Sequence, residues 1–147
     1  MTMAKPTRSR LPQEVFLSHS SKDCKMAGRI AAILRGHGVP VWYSETSLFG
    51  AQQWHDEIGK ALERCDWFLI VLSPQATRSD WVKRELLYAL RTPRYKDRIL
   101  PIYHRACDPA KLSWTLDDFQ AVDLIEDFNS GCCSLLRTWG LAFDPTK

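Results

Sequence analysis

One carboxylate stands beside two aromatic rings in the stretch Ser79-Asp-Trp-Val-Lys-Arg-Glu-Leu-Leu-Tyr88. At roughly 100° per residue, Trp81, Glu85 and Tyr88 share one narrow arc of a helix. Val82, Leu86 and Ala89 share the adjacent arc, which reads as the core side. A lone acid on an aromatic surface suits a cationic, ribose-bearing ligand. A solvated helix glutamate, the commoner case, fits the same letters. Trp81 likewise fits either the wall of a site or a plain core position, since large aromatics dominate cores.

The elements that must position these residues alternate along the chain. Glu14-Val-Phe-Leu-Ser18 reads as a strand, and Ser20 and Ser21 can cap the helix that follows. That helix carries Ala27, Ile30, Ala31 and Leu34 at helical spacing and ends at Gly36 and Gly38. Val39-Pro-Val-Trp-Tyr43 is a second strand, and the polar stretch Ser44 to Gln53 is a loop. Trp54, Ile58, Ala61, Leu62 and Cys65 form the stripe of a second helix. Asp66-Trp-Phe-Leu-Ile-Val-Leu72 is almost continuously apolar, the pattern of a strand buried on both faces. Ser73-Pro74 stops it, and Ser79 or Asp80 caps the helix of Glu85. Arg98-Ile-Leu-Pro-Ile-Tyr103 is a fourth strand whose Pro101 removes a ladder donor, leaving full pairing on one side. Cys107 to Phe119 reads as irregular, Gln120-Ala-Val-Asp123 as a short fifth strand, and Ser130 to Gly140 as a last helix with Leu135, Leu136 and Trp139 inward.

Strands alternating with helices imply right-handed crossovers and a parallel sheet covered on both faces. Ligands of such sheets bind outside the carboxyl ends of the strands. That edge comprises the Ser18–Lys22 turn, the Ser44–Gln53 loop, the Ser73–Ser79 turn and the Tyr103–Asp108 segment. The helix of Trp81 and Glu85 starts there. His19 lies there too and fits either a binding or a capping role. His37 reads as an exposed helix-end residue and His55 as a solvated one. Asp66 sits at the opposite end of its strand.

At 147 residues the chain reads as one domain. Its 45% apolar content and 25% charged content are those of a globular protein. A net charge of +3, with Arg8, Arg10, Arg29 and Arg35 scattered, gives no case for nucleic acid. Five cysteines without ligand or redox spacing point to a reducing compartment. The first twelve residues are polar and basic, read as a flexible lead-in without a signal peptide. No apolar run approaches the ~18 residues of a membrane span. A cytoplasmic location is therefore expected. No Gly-x-Gly-x-x-Gly, P-loop, Gly-x-Ser-x-Gly or metal-spaced histidine pattern occurs, so no bound cofactor or metal is expected.

Read in order, the motifs resemble a Toll/interleukin-1 receptor (TIR) domain of the bacterial type. They are Val15-Phe-Leu-Ser-His-Ser-Ser-Lys-Asp23, Gly38-Val-Pro-Val-Trp42, Leu48-Phe-Gly50 with Trp54, Cys65-Asp-Trp-Phe-Leu-Ile-Val-Leu-Ser-Pro74, Ser79-Asp-Trp-Val-Lys-Arg-Glu85 and Ile99-Leu-Pro-Ile102. The resemblance runs from about Glu14 to Trp139. It implies an α/β, flavodoxin-like, five-stranded parallel sheet with helices on both faces. It places a TIR domain over residues 13–143, between the lead-in 1–12 and a tail at 144–147. One departure is Ser44, where many relatives carry Asp.

The resemblance implies two kinds of function. Many bacterial members cleave NAD⁺ at the nicotinamide–ribose bond, releasing nicotinamide with ADP-ribose or a cyclic ADP-ribose species. Others only assemble with further TIR domains. Carried over, the key acid of the catalytic members is Glu85. A single carboxylate is chemically sufficient, because nicotinamide is cationic in NAD⁺ and leaves as a neutral ring. No acid is needed to protonate the leaving group, unlike the paired carboxyls of ordinary glycosidases. Beside Glu85, the ligand-facing edge offers Ser18, His19, Ser20, Ser44 and Phe49 as candidate substrate contacts, and Trp81, on the arc of Glu85, is a candidate to stack on the pyridinium or ribose. The Ser18–Ser21 turn offers hydroxyls and a helix start suited to phosphate. By resemblance the Ser44–Gln53 loop, with Leu48 and Phe49, packs on a neighbouring TIR domain and gives a homo-oligomer with higher activity. Antiphage defence is the biological role this implies, with a virulence effector as the alternative. A non-catalytic TIR–TIR module and a nucleoside transferase on a related sheet remain the competing readings of the chain.

Overall fold

In a computed structural model, the structure describes residues 11–44 and 51–147, with the side chains of 51–54 excepted. Leu48, Phe49, Gly50 and the Trp54 side chain, singled out above, lie outside the described residues, as does most of the lead-in.

Five parallel strands form one sheet in the order β2-β1-β3-β4-β5. They are β1 (Val15–Ser18), β2 (Val41–Trp42), β3 (Trp67–Leu72), β4 (Ile99–Tyr103) and β5 (Val122–Asp123). This is the flavodoxin-like order, as the resemblance implied; the alternating pattern had given the parallel sheet. The helices are α1 (Cys24–Gly36), α2 (Ala51–Arg64), α3 (Pro74–Thr77), α4 (Asp80–Arg91) and α5 (Phe128–Arg137). Among the described residues no helix is long and apolar enough to cross a membrane.

Strand parity builds two cores. Val15, Leu17, Leu69, Val71, Leu100 and Ile102 point to the face packed by Ala27, Ile30 and Leu34 of α1 and Leu135 and Leu136 of α5. Phe16, Phe68, Ile70, Leu72 and Ile99 point the other way, against Ile58 and Leu62 of α2 and Val82, Leu86 and Ala89 of α4. The five residues from Phe68 to Leu72 have no solvent exposure. Burying each such side chain contributes roughly 1.5–3 kcal/mol, so β3 is the spine of the fold.

Pro101 acts as expected. Tyr103 C=O accepts a hydrogen bond from Leu124 N–H at 2.9 Å, so the odd-numbered backbone groups of β4 face β5. The donor that proline lacks is missing on that side. β4 pairs β3 over five residues from Ile99 to Tyr103, but pairs β5 only at Ile102 and Tyr103.

Several details differ from the sequence reading. α2 begins at Ala51, inside the stretch Ser44–Gln53 read as a loop, and α5 runs Phe128–Arg137 rather than Ser130 to Gly140. Ser73-Pro74 ends β3 but also starts α3: Ser73 Oγ accepts from Ala76 N–H at 3.0 Å, and proline is tolerated in a first turn. The irregular stretch after β4 holds two 3₁₀ turns, Pro109–Lys111 and Trp114–Asp118. His37 is half-buried rather than exposed. Its Nδ1–H donates to Ile33 C=O at 2.7 Å, and its Nε2 accepts from Asp144 N–H at 2.9 Å. The imidazole thus ties residues 144–147 to the end of α1, where Lys147 also lies against Gly36.

Candidate active site

The carboxyl ends of β1, β3 and β4 and the start of α4 form one rim. Ser79 Oγ accepts from Val82 N–H at 3.2 Å and fixes the first turn of α4. Val82, Leu86 and Ala89 anchor that helix in the core, which turns Glu85 inward beside them. Glu85 is 8% exposed. The solvated-helix alternative is therefore set aside.

Ser18 is the last residue of β1 and shares the parity of Phe16, so its side chain faces α4. It is 1% exposed. Its hydroxyl donates to Glu85 Oε1 at 2.6 Å, a length typical of a hydrogen bond to an ionised carboxylate. Burial pushes the Glu85 carboxyl up from the ordinary 4.5 to about 7, and the Ser18 hydrogen bond opposes the shift without cancelling it. A carboxylate at this position is thus poised near neutrality.

Trp81, one turn earlier, is 43% exposed and is not a core residue. The Arg84 guanidinium lies 5.6 Å from its ring centroid, and the His55 ring approaches at 6.0 Å with a tilt of 54°. The indole therefore stands at the surface one helical turn before the buried acid, with the Arg84 guanidinium and the His55 ring beside it.

His19, 9% exposed, clasps the entry of the Ser44–Gln53 loop. Its Nδ1 lies 2.8 Å from Ser20 C=O, and its Nε2 lies 3.2 Å from Ser44 C=O and 3.5 Å from Ser44 Oγ. Ser20 Oγ accepts from Lys22 N–H at 3.2 Å and caps the 3₁₀ turn Ser21–Asp23 that leads into α1. Thus Ser18 and Glu85 meet at one point of the rim, with Trp81 one turn before Glu85 on the same helix. His19, Ser20 and Ser44 form a second group held mainly through backbone carbonyls. Phe49 lies outside the described residues.

Two features escaped the sequence reading. One is the Ser18–Glu85 pair, although β1 parity and the α4 arc together contain the signal for it. The other is a polar knot beneath the same rim. Ser73 Oγ donates to Asp23 Oδ2 at 2.5 Å, while His104 Nε2 lies 4.0 Å from Asp23 Oδ1. Burial lowers the proton affinity of His104, and Asp23 opposes that. The knot joins the exits of β1, β3 and β4 and stiffens the edge on which the site stands. Asp66, by contrast, lies at the amino end of β3, where it accepts from Gln13 N–H and Glu14 N–H.

The family model of the TIR domain matches residues 15–136. The chain belongs to the TIR domain family. Among curated proteins, it is 31% identical over 112 residues to an NAD(+) hydrolase of Paracoccus denitrificans, covering 73% of this chain and 37% of that protein. It is 30% identical over 95 residues to a 2′ cyclic ADP-D-ribose synthase of Bacteroides thetaiotaomicron, covering 63% of this chain and 33% of that protein. A protein of the same description from Acinetobacter baumannii is 34% identical over 95 residues, covering 63% of this chain and 35% of that protein. The chain spans about a third of the length of these relatives. Two solved structures share the fold: the TIR domain of a Toll-related receptor from Hydra magnipapillata and the TIR domains of the activated Roq1 resistosome. The first has a TM-score of 0.62 at 17% identity, covering 84% of this chain and 88% of that one. The second has a TM-score of 0.64 at 16% identity, covering 85% and 98%.

Proposed function

We propose that this TIR domain cleaves NAD⁺ at the nicotinamide–ribose bond, with Glu85 as the catalytic residue. The observation that carries this reading is a single carboxylate, buried at the ligand-facing rim and poised near neutrality, with an exposed indole one helical turn away. The names of the three bacterial relatives support the same substrate.

In this reading the pyridinium lies against Trp81 and the ribose above Glu85. The bond between C1′ and the pyridinium nitrogen breaks heterolytically. Its electron pair goes to the nitrogen, and neutral nicotinamide leaves. The ribosyl centre gains positive charge, which the ionised Glu85 carboxylate offsets through hydrogen bonds to the ribose hydroxyls. Preorganised groups of this kind contribute about 10²–10³ in rate. Stacking on Trp81 adds about 0.5–2 kcal/mol. Attack of water at C1′ gives ADP-ribose and a proton, whereas attack by a hydroxyl of the same nucleotide gives a cyclic product. No further cofactor enters either balance.

His19, Ser20, Ser44 and Phe49 belong to the substrate-facing side of the same reading, with Ser44 on the loop that would meet a second TIR domain. Self-association through Ser44–Gln53 then raises turnover per subunit, so specific activity should climb with protein concentration. A constant specific activity across a wide dilution series would remove this part. Antiphage signalling is the biological setting we assign to it.

The test is chromatography of NAD⁺ incubated with concentrated protein beside Glu85→Ala. Free nicotinamide from the first and none from the second supports the reading, and the accompanying nucleotide separates hydrolysis from cyclisation. An inactive wild-type protein that still self-associates would instead favour a non-catalytic TIR–TIR module.

A further inference from the structure

We infer that Ser18 is a positioning residue for Glu85: from the fixed end of β1 its hydroxyl holds one carboxylate oxygen and so aims the group at the ribose. This rests on the catalytic reading of Glu85 and replaces the expected direct substrate contact by Ser18.

Three observations carry it. First, Ser18 has almost no surface to offer a ligand. Its hydroxyl is spent on Glu85 Oε1 at 2.6 Å across a sequence distance of 67 residues. Second, the two partners sit on different rigid elements. Ser18 pairs with Ile70 in the register of β1 and β3, the most buried part of the sheet. Glu85 rides on α4, whose neighbours Val82 and Leu86 are fully buried. A glutamate side chain has three rotatable bonds before its carboxyl group. Packing fixes its stem, and the hydroxyl fixes the last torsion. Third, Ser18 is the hydrogen-bond donor to Glu85 among the described residues. Burial raises the Glu85 proton affinity and this hydroxyl lowers it. Removing the hydroxyl leaves a buried carboxylate without its donor, so the group holds its proton to higher pH and swings more freely when ionised.

The experiment is a pH profile of nicotinamide release for wild type, Ser18→Ala and Ser18→Thr, with KM and kcat separated. Ser18→Ala should lower kcat near pH 7 by about 10- to 100-fold, the effect of losing one hydrogen bond to a charged group. KM for NAD⁺ should stay within about twofold, because the substrate itself loses no contact. The midpoint of the kcat/KM profile should move up by about one pH unit, and activity should recover in part above it. Ser18→Thr, which keeps the hydroxyl, should restore both. A companion measurement follows the Glu85 carboxyl carbon by NMR during a pH titration, in wild type and in Ser18→Cys, a weaker donor that guards against a folding defect in Ser18→Ala. It should show the same upward shift.

An unmoved midpoint in either measurement overturns the proposal. So does a loss in Ser18→Ala that lies in KM alone, since that marks a direct substrate contact. A wild-type protein without NAD⁺ cleavage, or a Glu85→Ala variant that retains it, removes the underlying reading instead. An active wild type with an indifferent Ser18→Ala removes only the role of Ser18.

Discussion

Two carboxylates at opposite edges of one sheet are held in opposite ways. Asp66, at the amino end of β3, accepts backbone N–H groups from Gln13 at 3.0 Å and Glu14 at 3.1 Å, with the Arg98 guanidinium 3.7 Å away. It has a structural job, tying the segment before β1 to β3. Glu85, at the carboxyl end, is buried and has one hydroxyl donor among the described residues. Donors and a cation stabilise an ion, while burial with a single donor leaves it costly. The contrast is between an under-compensated acid at the rim where helices begin, the one proposed to be catalytic, and an acid that the opposite rim uses as a fastener.

The strongest way to break the comparison is to exchange the roles by mutation. Glu85→Ala should reduce nicotinamide release by at least about 10²-fold. Asp66→Ala should leave the turnover of folded protein within about twofold and instead lower stability by about 1–3 kcal/mol, because two backbone donors lose their acceptor. Chemical denaturation and turnover on the same samples separate the effects. Equal activity losses in both variants would erase the distinction.

A sharper form uses stability against pH. The folded state keeps the Glu85 proton up to about 7, whereas the unfolded chain releases it near 4.5. The unfolded state therefore binds fewer protons between these values, and the folded state loses stability as pH rises through that window. Glu85→Gln carries no charge and escapes the loss. It should be more stable than wild type above pH 7, on the order of 3 kcal/mol, and no different below about pH 4.5. Melting curves at the two extremes decide it. A variant that is destabilised at high pH would mean that the ion is better satisfied than the geometry indicates.

The smallest effect belongs to Trp81. Its surface position makes Trp81→Ala nearly neutral for stability, within about 0.5 kcal/mol. It should still lower kcat/KM for NAD⁺ by about 3- to 30-fold, with Trp81→Phe intermediate. A stability loss larger than the activity loss would return the indole to a packing role.

Much of this fold is legible in the letters. The run from Trp67 to Leu72 and the alternating helices give the sheet, and Pro101 tells that β4 goes short on one side, though not on which. Helical spacing puts Trp81 and Glu85 on one arc, but the resemblance, not the spacing, singles out Glu85. What stays hidden depends on distant register. The Ser18–Glu85 contact needs β1 parity, the crossover and the depth of α4 together. The Asp23–Ser73–His104 knot joins three chain segments that no local pattern links. α3 is missed because Ser73-Pro74 signals both the end of a strand and the start of a helix. His37 escapes because its partner, the Asp144 backbone, carries no side-chain signature.

The most direct measurement is the pH profile of kcat/KM for nicotinamide release from NAD⁺ by the wild-type chain. An ionised Glu85 as the working form requires activity to rise through a single midpoint near pH 7 and then level off, with Glu85→Gln inactive throughout. A profile that is flat from pH 5 to pH 9, or a Glu85→Gln variant that retains wild-type turnover, would contradict it.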